Sequence, residues 1–335
     1  MKPQGNIPEK IKKKKENFMH KRFLSLVLLV LSATILLSCA SRNDVCDTCI
    51  NRTDERLLDA AAALYPDAVK SILSEGAHVN AKDSLGETAL MKALRQPESQ
   101  SIQSMRPMEE TIRVLLDSGA DFRTVNKRGI STLDLVQQTG DIHVIRLFGP
   151  RMRQSERDKM LMQALPAKQF AIAVYLLEKG ANPKQVNAKK QTPLHFALNT
   201  SVPDPGLLAV LLETGNVNAT DAYGANPLMI ACANAAPVEI IKMLLEKGAD
   251  LQSRINGNSL LWLALTAPNE NIDLVKFLLA KGLDASERDP DGTPLLVLMA
   301  KADRIQSARA LVEAGADAAV LDAAGAGEFR ARLTP

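Results

Sequence analysis

Two independent sequence markers recur along this chain with a period of about 33 residues, and that period limits the fold more than any other feature. The first is Leu-Leu-x-x-Gly or a near variant, ending at Gly76, Gly119, Gly180, Gly215, Gly248, Gly282 and Gly315, with the last five spaced by 35, 33, 34 and 33 residues. The second is the Leu of a Thr-Pro-Leu-like triplet, at Leu57, Leu90, Leu133, Leu161, Leu194, Leu228, Leu261 and Leu295, in steps of 33, 43, 28, 33, 34, 33 and 34. One unit repeated at a fixed period is the signature of a solenoid, in which each unit packs only on its neighbours. A length of 335 residues would ordinarily suggest about two domains, but a solenoid has no such size limit. The aromatic content of 4% fits thin layers of Leu and Ala in place of one large core.

Each part of the unit has a physical role. In Thr192-Pro193-Leu194-His195-Phe196-Ala197, Thr accepts from a free backbone N–H at a helix start, and Pro at an early helical position loses no available hydrogen bond. Leu194 and Ala197 fall on one helical face, where the small Ala admits a neighbouring helix. A Leu-Leu pair packs a second helix, and the following Gly supplies the left-handed conformation that ends it. Asn80-Ala81-Lys82-Asp83 and Asn218-Ala219-Thr220-Asp221 then lead into an extended hairpin. The hexapeptide at 192–197 matches the ankyrin motif T-P-L-H-x-A in full. Thr88-Ala89-Leu90, Asn226-Pro227-Leu228 and Thr293-Pro294-Leu295 are weaker versions, and Leu244-Leu245-Glu246-Lys247-Gly248-Ala249-Asp250 closes its unit as ankyrin units do. Residues 54–330 therefore resemble ankyrin repeats. The resemblance implies an all-α repeat solenoid of helix-turn-helix units with β-hairpin loops, eight units plus a C-terminal fragment, some of them degenerate.

Three departures from the pattern are individual to this chain. The second unit carries about ten extra residues, placed at 96–107, which a surface loop accommodates at about 0.6 kcal/mol per doubling of its length. The third unit lacks a clean Leu-Leu-x-x-Gly and stops at Gly149-Pro150, while the fourth starts late and has no Thr-Pro. A bend or weakened stacking is expected near 149–156, as the most mobile joint. Lys190 stands where other hairpins carry Gly86, Gly129, Gly224 and Gly257. A positive φ there costs a non-Gly residue roughly 1 kcal/mol, so that hairpin is expected to be distorted.

The N-terminal end has a different character. Residues 1–38 hold eight Lys or Arg against Glu9 and Glu16, and their removal turns a net charge of +3 into about −3, with 33 basic and 36 acidic residues left. That sign argues against nucleic-acid binding, which needs clustered basic residues on the folded part. Residues 23–37 (FLSLVLLVLSATILL) form one apolar run of 15, short of the roughly 20 that a membrane helix needs. A basic stretch followed by a short apolar run reads as a secretory signal. An uncleaved membrane anchor is the alternative. Leu36-Leu37-Ser38-Cys39 resembles the bacterial lipobox. The resemblance implies a signal peptide over 1–38, lipidation of Cys39 and a tether over 39–53. The resemblance further implies that the absence of Asp directly after the Cys, where Ala40 and Ser41 follow, favours the outer over the inner membrane, with the mature chain facing the periplasm. Met19 is a second candidate start, because Met19-His20-Lys21-Arg22 makes a compact basic region.

The remaining reactive residues give little chemistry. Cys46-Asp47-Thr48-Cys49 lies in the tether, and outside the cytoplasm a disulfide between Cys46 and Cys49 is the plain reading. Haem attachment would need His at position 50, which is Ile50, and zinc would need further ligands that scattered His78, His143 and His195 do not supply. Cys232 reads as a buried thiol. His195 and Trp262 occupy one slot of the unit, which favours packing or capping over catalysis. No phosphate loop or nucleophile motif is present, so no cofactor, metal or enzymatic activity is expected.

Function is therefore expected from a surface. Ankyrin stacks typically hold another protein on a concave face built from hairpin tips and first helices. By alignment to the unit, the candidate contacts are Leu85 and Glu87, with Ser84; Lys127 and Arg128, with Ile130; Lys189 and Gln191; Tyr223, with Ala222 and Ala225; and Asn256 and Asn258. Tyr223 is the sharpest, since exposed aromatics are enriched in binding hot spots. The expectation is a monomeric, lipid-anchored envelope protein that binds a protein partner within reach of its tether. The alternative is an inhibitor or protective regulator of an envelope enzyme or toxin.

Overall fold

The computed structural model describes residues 52–95, 102–200 and 202–333, without the side chains of 102–106. Cys39, Cys46, Cys49 and the apolar run at 23–37 lie outside the described residues. Among the described residues the regular structure is 18 α-helices and one 3₁₀ turn, in consecutive pairs: α1 (Arg52–Ala62) with α2 (Pro66–Ser74), α3 (Ala89–Leu94) with α4 (Ile102–Asp117), and α5 (Thr132–Thr139) with α6 (Ile142–Phe148). After the 3₁₀ turn Gly149–Arg151 come α7 (Gln154–Ala164) with α8 (Phe170–Glu178), α9 (Pro193–Leu198) with α10 (Pro205–Thr214), and α11 (Pro227–Ala233) with α12 (Val238–Glu246). Then follow α13 (Leu260–Thr266) with α14 (Ile272–Ala280), α15 (Leu295–Lys301) with α16 (Ile305–Glu313), and a short pair, α17 (Val320–Ala323) with α18 (Gly327–Ala331). None of the described helices is long and apolar enough to cross a membrane.

Four helix starts follow the chemistry read from sequence, whereas at Thr192 the hydroxyl accepts no backbone N–H and instead lies 2.7 Å from His195 Nδ1. Thr88 Oγ1, Ser131 Oγ, Asn226 Oδ1 and Ser259 Oγ each accept from the backbone N–H three residues on. Most first helices are buried by Leu and Ala, as with Leu57, Leu90, Leu161, Leu194, Leu228 and Leu261, which are essentially inaccessible, whereas Leu133 of the third unit is half-buried and α5 buries Leu135 and Val136 instead. Neighbouring units are also tied by repeated polar contacts. Asn80 donates to the Gly119 carbonyl (3.3 Å) and accepts from the Asp121 N–H (2.7 Å), and Asn218 does the same one stretch later with Gly248 (2.8 Å) and Asp250 (3.1 Å). These two Asn residues open the hairpin leads, and their side chains tie each lead to the equivalent stretch of the next unit.

One sequence register is corrected. In Thr192-Pro193 the Thr is the N-cap and Pro193 the first helical residue, whereas Pro294 is itself the N-cap of α15. The reason is the preceding hairpin. Asp289 N–H donates to the Thr293 carbonyl as Asp83 N–H does to that of Glu87, so Thr293 occupies the last hairpin position and Leu296, not Leu295, matches Leu90.

Lys190 is a second correction. It does take a left-handed φ of 57°, but the hairpin is intact: Lys190 N–H donates to the Asn187 carbonyl (2.9 Å) and Asn187 N–H to the Gln191 carbonyl (3.2 Å). The Asn187 side chain accepts from the Lys189 and Gln191 N–H groups, both at 2.9 Å, as Asp83 does for Leu85 and Glu87. This Asx clamp holds Lys190 in a strained conformation without loss of pairing. Lys190→Gly is expected to raise stability by roughly 0.5–1 kcal/mol, read as a shift in the urea midpoint at constant slope.

The expected irregularities take definite forms. Part of the extra length in the second unit is helical: α4 runs 16 residues where most other second helices run nine or ten, and it contains Pro107. The fourth unit has lost its hairpin, since only five residues, 149–153, separate α6 from α7. There α7 packs mainly on α8 and touches α5 only sparsely. Ion pairs lace the joint instead. Arg123 holds Glu156 through Nε (2.7 Å) and Nη2 (3.1 Å) and donates to the Arg151 carbonyl, while Arg151 pairs with Asp117 at 2.8 Å. Burial opposes ionisation of Glu156, yet Arg123 and the Arg153 N–H hold its carboxyl below its ordinary 4.5.

Candidate interaction site

Each full-length hairpin is closed by an Asp or Asn side chain, which leaves the next two residues at the tip. Of the nine residues singled out as partner contacts, six are exposed there. Leu85 is 43% and Tyr223 66% accessible, and Lys127, Arg128, Lys189 and Asn256 are also exposed. Asn256, at φ 50°, and Gly257 form a tight Asn-Gly turn in which Ile255 and Asn258 exchange both backbone bonds. The other three candidates turn inward, and all occupy the slot after the turn. Glu87 is buried, pairs with Arg95 at 2.7 Å and accepts from Asn126 Nδ2 at 3.1 Å. Gln191 is half-buried and accepts from Asn187 Nδ2 at 3.0 Å, and Asn258 is half-buried. The extended chain alternates sides, so this slot faces the stack while the tip faces out.

Successive tips are bonded to one another. Lys127 N–H donates to the Leu85 carbonyl (3.0 Å) and Ala222 N–H to the Lys189 carbonyl (2.8 Å). Sequence reasoning missed Val125 and Val186, which are 49% and 48% exposed. Both immediately precede the clamping Asn of their hairpins, Asn126 and Asn187. The signal was present as an apolar residue in a slot that elsewhere carries Lys82, Thr220 or Arg288.

His195 is buried and caps its helix: Nδ1 accepts from the Thr192 N–H at 3.1 Å, leaving Nε2 to donate to the Ala225 carbonyl of the next hairpin at 3.1 Å. Burial pushes its pKa below the ordinary 6.5, against the pull of the Ala225 carbonyl and Asp221. Trp262 fills the same slot of α13, half-buried, with its backbone N–H donated to Ser259 Oγ at 3.1 Å. Cys232 is fully buried in α11, and burial pushes its thiol up to about 12, which leaves it without nucleophilic thiolate at neutral pH. Among the described residues no group of three or more His, Cys, Asp or Glu is placed to hold a metal ion.

The hairpin geometry, the Thr-Pro helix start and the inter-unit Asn contacts converge with a sequence-family match: residues 161–255 fit the model for ankyrin repeats, in three copies. This stretch is a run of ankyrin repeats. Stretches of this chain are similar to several curated proteins. They are 32% identical over 157 residues to the mitochondrial disaggregase of Bos taurus, covering 43% of this chain and 21% of that protein. They are 30% identical over 158 residues to the human ankyrin repeat and SOCS box protein 6, covering 47% and 34% respectively. Over 281 residues, 82% of this chain, they are 28% identical to the ankyrin repeat and KH domain-containing protein mask-1 of Caenorhabditis elegans, of which 10% is covered. The chain thus spans about a fifth to a third of the first relatives, and a tenth of the last. Ankyrin repeats are typically interaction modules and not catalysts, which matches a site made of tips.

Proposed function

We propose that this chain is a lipid-anchored protein of the bacterial envelope whose ankyrin stack, eight units and a terminal fragment over 54–330, holds a protein partner along its hairpin-tip edge. The lipid is placed on Cys39 and the stack in the periplasm, at the outer membrane. The observation that carries the binding role is the exposed row of tips. Tyr223 is two-thirds exposed on a hairpin whose Asp221 carboxylate clamps the Tyr223 and Ala225 N–H groups at 2.8 and 3.0 Å. A rigidly presented aromatic of this kind adds contact area at small entropic cost.

Crosslinking in intact cells tests the reading. Tyr223→Ala is expected to lower capture of a discrete partner about tenfold, corresponding to about 1.4 kcal/mol, and Lys189→Ala to lower it less. Unchanged capture in both variants would remove the tips from the interface. A partner that loses its own activity when bound would mark the chain as an inhibitor. Fatty-acid labelling should vanish in Cys39→Ala, and persistent labelling would reject the anchor.

A further inference from the structure

The missing hairpin of the fourth unit leaves a break in the tip row, and the groups on either side of the break are unfilled. Where full-length hairpins are adjacent, the second tip residue of one gives its carbonyl to the N–H of the first tip residue of the next, as Leu85 does to Lys127 and Lys189 to Ala222. At the break the corresponding groups are the Arg128 carbonyl and the Ala188 N–H. Neither has a hydrogen-bond partner among the described residues, and both residues are exposed. A Cβ on Gly86 would lie 3.2 Å from the Lys127 nitrogen of the neighbouring tip, while a Cβ on Gly129 at the break, like one on Gly224 before the short Asn-Gly hairpin, would meet nothing within 4 Å. Two unit layers at 8–10 Å each make the break about 16–20 Å wide, the span of about six extended residues.

Charge decides what fits. Lys127 and Arg128 stand on one side and Lys189 and Lys190 on the other; all four are exposed and none is within ion-pair distance of a carboxylate among the described residues, while Arg153, between them in sequence, is exposed and its charge also acts on Glu156. The carboxylates of this region are already engaged: Glu156 by Arg123, Asp134 by Lys159 and Asp158 by the Asn182 N–H. We propose that the break receives an extended acidic segment of a partner protein, which pairs its backbone with Arg128 and Ala188 and its carboxylates with the flanking cations, in place of the absent hairpin. This rests on the reading of the chain as a protein-binding stack and specifies where and what it binds.

The test is fluorescence anisotropy with a fluorescein-labelled peptide of alternating Glu and Val, titrated with the chain. Binding is expected, with no binding of the peptide that carries Lys for Glu. Arg128→Glu combined with Lys189→Glu should weaken binding about tenfold or more, while Lys70→Glu with Lys301→Glu, an equal change in net charge at remote exposed sites, should not. N-methylation of alternate peptide bonds should also abolish binding. Equal weakening by both charge pairs, indifference to N-methylation, or displacement of the peptide by oligo-dT at lower concentration would overturn the proposal. Partner crosslinking that is lost in Tyr223→Ala but kept in the Arg128/Lys189 reversal would reject the break while leaving the tip-edge function standing.

Discussion

Replacing Phe148 with Ala is expected to lower stability by about 3–5 kcal/mol and to divide a single unfolding transition into two. Phe148 ends α6 and is wholly buried. Its ring meets Phe122 edge-on at 5.7 Å between centroids, and the Arg123 guanidinium lies 4.3 Å from the centre of the Phe122 ring. The same Arg123 pairs with Glu156 of α7, so the aromatic pair and the ion pair form one continuous link from the third unit to the fourth. The backbone just beyond is equally close-packed: a Cβ on Gly149 would lie 2.3 Å from the Tyr175 hydroxyl of α8. In a stack, stability is the sum of unit terms and neighbour terms, and cooperativity fails first where a neighbour term is small. The joint between the third and fourth units has no hairpin and sparse helix contact in both layers, so loss of the Phe148 ring removes much of what couples the two halves. Trp262, the single tryptophan, lies in α13 and reports only the C-terminal half. Urea curves by Trp262 fluorescence and by far-ultraviolet circular dichroism should coincide in the native sequence and separate in Phe148→Ala. Coincident curves in the variant would show that the joint is not the weak interface.

The sequence made the units legible because their signals are local. A Thr or Ser before a helix, a Leu-Leu pair and a left-handed Gly each act within one turn, and a period of 33 repeats them until chance is excluded. Errors arose where the outcome depended on a neighbour. The triplet Thr293-Pro294-Leu295 has the motif's letters, but the helix start is counted from the Asp289 hairpin, which places Pro294 at the cap. Lys190 looked disruptive because the cost of its φ is visible in the residue type, while the Asn187 clamp that holds the turn together is a tertiary detail. The step of 28 before Leu161 and the absence of Thr-Pro mark the fourth unit as irregular; that the difference is a lost hairpin and not lost helix requires the chain path. Among the contact candidates, tip residues and the slot after the turn are one or two positions apart and face opposite ways. That difference separates Leu85, Lys189 and Tyr223, which are open to a partner, from Glu87, Gln191 and Asn258, which serve the stack.

Glu87 shows that distinction most sharply, and Glu87→Ala is expected to lower stability by about 2 kcal/mol while leaving the exposed tip residues in place. Its carboxylate is 5% accessible as a residue and bonds two partners, Arg95 at 2.7 Å and Asn126 Nδ2 at 3.1 Å. The Asn126 side chain in turn accepts from the Arg128 and Ile130 N–H groups at 2.9 and 3.0 Å, so Glu87 orients the clamp of the next hairpin. Removing the carboxylate leaves Asn126 with an unpaired buried amide, which carries most of the penalty. Arg95 adds less, because its side chain is 32% accessible and regains water. Glu87→Gln keeps an acceptor for Asn126 and deletes only the charge, so it should lose about half as much. A double-mutant cycle with Arg95→Ala, read by urea unfolding, should give a coupling of about 0.5–1 kcal/mol, and the cycle with Asn126→Ala a larger one. If Glu87→Ala instead left stability unchanged and abolished partner capture, the residue would belong to the binding edge and the inward assignment of its slot would be wrong.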